Sequence, residues 1–90
     1  MEYQYPIDID WTTEEIVEVV KFFECIETAY EKGIEKDVLM EQYKLFKKIV
    51  PGKAQEKNVC DEFEENSGYS TYRTIKKAKE AESGAKVKMP

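Results

Sequence analysis

Residues 11–33 read WTTEEIVEVVKFFECIETAYEKG, and this stretch decides the fold. Thr12 and Glu15 stand three apart at the head of an apolar run. At that capping-box spacing the Thr12 hydroxyl accepts from the Glu15 backbone N–H, and the Glu15 carboxylate reaches back to the Thr12 N–H. Trp11 and Ile16 flank the cap at hydrophobic-staple spacing, which folds the indole over the first turn. Glu14 and Glu15 put negative charge at the positive end of the helix dipole. Ile16, Val19, Val20, Phe22, Phe23, Ile26, Ala29 and Tyr30 recur at three- and four-residue steps, covering about half the helix circumference. Glu14, Glu18, Lys21, Glu24, Thr28 and Glu31 fill the other half. A stripe this wide must meet more than one partner element. Gly33 supplies the left-handed residue that ends many helices, so a central core helix is placed at about 13–32.

Three further helices are expected, at about 35–49, 53–66 and 70–82. Val38, Leu39, Tyr43, Phe46, Ile49 and Val50 line the second, and Pro51 and Gly52 end it. The short connection after Gly33 makes the first two helices an antiparallel hairpin. Ala54, Val59, Cys60 and Phe63 give the third a narrow stripe, which stops at Asn66, Ser67 and Gly68. Ser70 caps the fourth. There Tyr72, Ile75, Ala78 and Ala81 face inward, while Arg73, Lys76, Lys77 and Lys79 face out. Before the first helix, Pro6 disfavours helix at Tyr5. Tyr3, Tyr5, Ile7 and Ile9 alternate with Gln4, Pro6, Asp8 and Asp10, so residues 1–10 form an extended arm with Tyr5 and Ile7 turned inward. No second strand is legible. The fold class is all-α, a compact array of four helices with an extended N-terminal arm. Residues 1–84 form the single domain and residues 85–90 a flexible tail.

The chain of 90 residues carries 19 acidic and 14 basic side chains, a net charge of −5. The signs are segregated. Residues 1–35 hold ten acids and two bases, residues 36–58 six bases and three acids, residues 59–68 four acids and no base, and residues 69–90 six bases and two acids. The expected use is internal, with neighbouring helices of opposite sign selecting one another. No apolar run approaches the roughly 20 residues of a membrane span. The acidic start MEYQYPIDID lacks the basic head of a signal peptide, so a cytoplasmic protein is expected.

Three groupings invite chemistry. Asp8 and Asp10 beside Trp11 offer carboxylates to a cation or to acid–base work, but no calcium-loop glycine or further oxygen ligands follow. The plainer use is for Asp10 to help cap the first helix and for Asp8 to be solvated. Arg73 is the only arginine and stands in GYSTYRTIKKAKE, between Tyr69, Tyr72 and the lysines Lys76 and Lys77. Its planar fork suits phosphate, and a neighbouring tyrosine suits a stacked base, but an acidic chain disfavours general nucleic-acid affinity, and the plainer use is a salt bridge to an acid of the first or third helix. Cys25 and Cys60 are the only cysteines and the chain has no histidine. Both thiols sit beside acids, against the cationic surroundings of a reactive one. No phosphate loop, dinucleotide fingerprint, metalloprotease motif or serine–histidine pair is present.

The opening YPIDIDWTTEEI (5–16) and the later IVPGKAQEKNVCDEFEENSGYSTYRTIKKAKE (49–80) resemble uncharacterised bacterial protein family 0223, over nearly the whole chain. The resemblance implies a small all-helical, cytosolic bacterial protein. It implies no activity, cofactor or catalytic residue.

The expected function is that of a non-catalytic protein-interaction or regulatory module with no cofactor, no metal and no membrane association. Its partner is another protein or a second copy of itself. The alternative is an RNA- or ribosome-associated protein using the basic C-terminal helix. The candidate interaction surface comprises Asp8, Asp10, Trp11, Tyr69, Tyr72, Arg73, Lys76 and Lys77.

Overall fold

A computed structural model describes residues 5–90. Tyr3 and the start of the expected arm lie outside these residues. The described chain runs α1 (Thr13–Glu31), β1 (Ile34–Glu35), α2 (Lys36–Ile49), α3 (Lys53–Ser67), α4 (Thr71–Glu80) and β2 (Lys86–Val87). The fold is all-α, with one two-residue antiparallel ladder between β1 and β2.

The ends of α1 follow from its caps. The Glu15 N–H donates to Thr12 Oγ1 at 3.1 Å and the Thr12 N–H donates to Glu15 Oε1 at 2.8 Å, an arrangement that contributes about 1 kcal/mol. Trp11 is buried at the helix entrance. At the far end Lys32 and Gly33 both donate to the Thr28 carbonyl, and Gly33 turns the chain at φ +91°. Glycine meets that backbone conformation without the Cβ penalty.

Two adjacent phenylalanines explain the width of the apolar stripe. Successive side chains on a helix diverge by about 100°, so Phe22 and Phe23 serve different neighbours. Phe22 stacks on Phe46 of α2 at 4.4 Å, and Phe23 stacks on Phe63 of α3 at 4.4 Å. All four rings are fully buried. Farther along α1, the Tyr30 hydroxyl accepts from the Ser70 N–H at 3.0 Å and its ring stacks on Tyr69 at 4.5 Å, fixing the entrance of α4. One helix thus holds the other three.

The arm departs from the expected alternation. Tyr5 does pack inward, 6.2 Å from the Phe63 ring and 6.4 Å from the Phe23 ring, and its hydroxyl donates to Glu27. Ile7, expected inward, is 47% exposed and Ile9 is 95% exposed. The cause is a turn. Asp8 Oδ1 accepts from the Asp10 N–H at 2.9 Å, and the Asp8 carbonyl accepts from the Trp11 N–H at 3.1 Å. This aspartate-initiated turn breaks the period of two and brings Trp11 to the core in place of the isoleucines.

In α4, Tyr72 does not face inward as expected; it is 77% exposed. Thr71, Thr74, Ile75 and Ala78 are buried instead. These four keep strict i, i+3, i+4, i+7 spacing, which Tyr72 does not share. Ser70 caps the helix by accepting from the Arg73 N–H.

The C-terminal residues correct a third expectation, that of a flexible tail. Residues 85–90 are packed against the body. Val87 pairs with Ile34 and Lys86 with Glu35. Val87 is 1% and Met89 7% exposed. The Ala85 carbonyl accepts from the Lys36 N–H and the Met89 N–H donates to the Ala29 carbonyl. Asp37 Oδ2 accepts from the Ser83 hydroxyl and the Gly84 N–H, and Lys36 Nζ donates to the Ala81 carbonyl. Val87 and Met89 alternate with exposed Lys86 and Lys88, a short period-two pattern with one face buried.

The charge pattern is also used differently. Among the described residues no ion pair joins α1 to α2 or α4. The cross-helix pair is Lys47 to Glu56, from α2 to α3, at 2.6 Å. The α1–α2 polar contact runs from Gln42 to the Glu18 carboxylate and carbonyl.

Candidate functional site

The weakest stripe in the sequence lies beside a groove in the structure. Of α3, only Phe63 and Ser67 are buried. Both lie in its second half, so its first half stands off from α4 and leaves a groove of about 700 Å³. Lys53, Glu56, Lys57, Cys60 and Asp61 form one wall, at the i, i+3, i+4, i+7, i+8 spacing of a single helix face. Thr71, Tyr72, Ile75, Lys76 and Lys79 form the other, and Tyr43 of α2 contributes to the lining. Nearly buried Ile75 and half-buried Cys60 form the apolar part of the lining, and Tyr72 stands exposed at the edge.

Not all of the groove's charges are free. Glu56 accepts from Lys47 at 2.6 Å and from the Tyr43 hydroxyl at 3.1 Å. Asp61 accepts from Lys57 at 2.7 Å. Lys79 lies 5.8 Å above the Tyr43 ring, in cation–π range. Lys53 and Lys76 are exposed and make no ion pair among the described residues, and neither does Arg73, one turn before Lys76 on α4. Both carboxylates are therefore engaged, and the uncompensated charge at the groove is positive.

Two groups inside it, the Cys60 thiol and the Tyr43 phenol, are held protonated. Burial, then the Glu56 carboxylate, pushes the Cys60 thiol up to about 12, against a smaller opposing influence of the nearby Thr71 hydroxyl. Burial and Glu56, joined by the hydrogen bond to that carboxylate, push the Tyr43 phenol up to about 12. A thiol so raised is a poor nucleophile near neutral pH. The buried Thr71 hydroxyl makes no hydrogen bond of ordinary geometry among the described residues. Its polar neighbour is the Cys60 thiol, a weak donor and a weak acceptor. Cys25 is likewise pushed up, by burial and then Glu24, and both cysteines are free.

The expected interaction residues divide into three groups. Tyr72 and Lys76 line the groove, with Arg73 adjacent on the same helix. Asp8, Asp10 and Trp11 form the entrance turn of α1, where Asp8 Oδ2 also accepts from Gln55 at 3.4 Å. Tyr69 is stacked on Tyr30 with its hydroxyl directed at Glu31, and Lys77 donates to the Lys88 carbonyl at 2.6 Å, tying α4 to the tail. The eight residues are thus not one surface. Sequence patterning does not single out Tyr43, Lys53, Lys57, Thr71, Ile75 and Lys79 as groove residues. The available signal is the polar first half of α3, where Glu56 and Lys57 occupy positions that a packed helix fills with apolar side chains.

Among the described residues no cluster of metal-ligating side chains is present, and no helix is long and apolar enough to cross a membrane.

Comparison with known proteins gives a consistent result. The model of an uncharacterised protein family, UPF0223, matches residues 2–87. The UPF0223 protein YktA of Bacillus subtilis (strain 168) is 58% identical over 89 residues, covering 99% of this chain and 100% of that protein. A UPF0223 protein of Bacillus cytotoxicus is 60% identical over 89 residues, with the same coverage. One from Lysinibacillus sphaericus is 55% identical over 89 residues, covering 99% of this chain and 94% of that protein. The chain belongs to the UPF0223 family, as the stretches at 5–16 and 49–80 imply.

Proposed function

We propose that this UPF0223 protein is a small non-catalytic interaction module of the bacterial cytoplasm, and that it engages a protein partner through the α3–α4 groove. One observation carries the proposal: a groove with apolar lining at Ile75 and Cys60, an exposed tyrosine at its edge, and two exposed lysines, Lys53 and Lys76, that make no ion pair among the described residues. Concave sites with apolar lining and few convergent polar groups are the usual binding features of small domains. Tyrosine is among the side chains that dominate the energetics of many interfaces. Support for a non-catalytic role comes from the composition. The chain has no histidine, and the groove's thiol and phenol are both held protonated.

A second class of partner is favoured by a specific observation. Arg73 and Lys76, without ion pairs among the described residues, stand beside exposed Tyr72, a combination that suits RNA or a ribosomal surface. The net charge of −5 and the acids Glu62, Glu64 and Glu65 on neighbouring α3 oppose it.

The test is a photo-crosslinking amino acid placed at position 72 in living cells, with position 38 of α2 as an exposed site outside the groove. The expected result is a discrete protein adduct at 72 that survives nuclease and is absent at 38. Adducts only to nucleic acid, or none at 72, would overturn the proposal.

A further inference from the structure

Resting on the groove as the binding face, we infer that its occupant is an acidic amphipathic helical segment of another protein. Shape comes first. Each wall is one helix face, and positions 53–61 and 71–79 each span about 12 Å of helix axis. That length accepts about two turns of an added helix, with apolar anchors at three- or four-residue steps set against Ile75, Cys60 and Tyr43.

Charge selects the sign of the occupant. Glu56 and Asp61 are already paired with Lys47 and Lys57, while Lys53 and Lys76 have no ion pair among the described residues. Carboxylates flanking the apolar anchors would meet those two ammonium groups, and complementary potentials of this kind steer encounter and fix register. A run of phosphates would instead pass the two groove carboxylates and the acidic face of α3, where Glu62, Glu64 and Glu65 are exposed. A second copy of this chain could offer the exposed acids of α1. That contact is heterologous, so it builds a ring or an open chain of copies and not a two-fold pair.

The buried Thr71 hydroxyl adds an independent observation. Thr71 is a lining residue whose hydroxyl lies just beneath the groove surface, beside the Cys60 thiol and without a hydrogen bond of ordinary geometry among the described residues, and a buried hydroxyl so poorly met is costly. A polar group of an incoming helix that opened this end of the groove would satisfy it.

The test selects a display library of random peptides of about 14 residues, long enough to cross the groove as a helix, on the full chain at physiological salt. Enriched peptides are expected to carry an apolar pair at a three- or four-residue step flanked by Asp or Glu. Affinity of a synthetic enriched peptide should fall at least about tenfold with Lys53→Glu and Lys76→Glu together, given the usual worth of exposed ion pairs. It should change less than about twofold with Lys44→Glu and Lys48→Glu, the same charge change on α2 outside the groove. All four lysines lack ion pairs among the described residues, and melting of both double variants verifies that they fold. Enriched peptides that are neutral or basic, acidic peptides indifferent to the groove reversal, or no enrichment would each overturn the inference. So would a homopolymeric RNA that competes for the groove and is lost with the same two substitutions. The crosslink at position 72 separates the two levels. A protein adduct there without acidic selection keeps the groove and removes this occupant, and absence of both removes the groove itself.

Discussion

Truncating Val87 to alanine tests whether the C-terminal residues are a structural part of the fold. Val87 is 1% exposed, sits opposite Ile34 in the ladder, and belongs to the same core cluster as Phe22 and Phe46. Val87→Ala removes two methyl groups, about 1.6 kcal/mol at 0.8 kcal/mol each. The space left behind adds a cavity contribution, for a total of about 2 kcal/mol. In a domain of this size that lowers the melting temperature by about 8–16 °C. There is also a ceiling. If the weakened tail detaches, the loss cannot exceed the free energy of docking it, which a chain ending at Gly84 measures directly. Lys88→Ala is the control. Its side chain is exposed, and the carbonyl that accepts from Lys77 survives the change, so the shift should stay under about 0.5 kcal/mol. Thermal and urea unfolding give the energies. Hydrogen exchange at the Lys36 and Met89 amides, which bond to Ala85 and Ala29, shows whether the tail stays docked. A Val87→Ala loss under about 0.5 kcal/mol, or one larger than that of the truncated chain, would refute a docked, core-forming tail.

Other measurements probe the caps, the core and the groove. Thr12→Ala removes the α1 cap and should cost about 1 kcal/mol in urea unfolding, with little change in the denaturant slope. Phe63→Ala deletes the ring that ties α3 to Phe23 and Tyr5 and should cost about 3–5 kcal/mol, or leave α3 detached with fast amide exchange throughout its length. Stability should also fall at alkaline pH. The Cys60 thiol, 9.0 in an ordinary setting, is raised to about 12 in the fold. Between those values the unfolded chain has released the proton that the folded chain keeps, so stability falls as pH rises from about 9 towards 12, by up to about 1.4 kcal/mol per pH unit. Cys60→Ala should flatten that fall, and an unchanged slope would show that burial of the thiol is not its source.

How much of this architecture the sequence discloses depends on how many residues share each signal. For α1, eight apolar positions, a capping box and a terminal glycine all agree, and the helix lies at Thr13–Glu31 with its caps formed. Helices α2, α3 and α4 fall within two residues of expectation because Pro51–Gly52, Gly68 and Ser70 punctuate them. The tail is illegible for the opposite reason. Its pattern is one pair, Val87 and Met89, and the strand it joins is two residues long. A ladder that short has no alternation of its own to read. Ile7 misleads because the Asp8 side chain competes locally for the backbone N–H of Asp10 and converts an extended pattern into a turn.

The groove follows from the same imbalance seen from the other side. Because Phe22 and Phe23 point to different helices, α1 can anchor α2 through Phe46 and α3 through Phe63. Tyr43, Leu39 and Val50 reinforce the hold on α2, whereas Phe63 is the buried ring of α3 and lies in its second half. Nothing comparable holds the first half, where the sequence places Lys53, Glu56 and Lys57. Tight packing there would bury Lys53 and Lys57 against Lys76 and Lys79 of α4, at a desolvation cost that the pairs of Glu56 with Lys47 and Lys57 with Asp61 do not offset. The helices therefore separate where their charges accumulate, and the net sign left between them is positive because Glu56 is drawn to Lys47 and Asp61 to Lys57. Segregated charge, which in the sequence resembles a means of selecting helix neighbours, instead keeps two of them apart. That is the physical reason a chain with a net charge of −5 presents a positively charged groove.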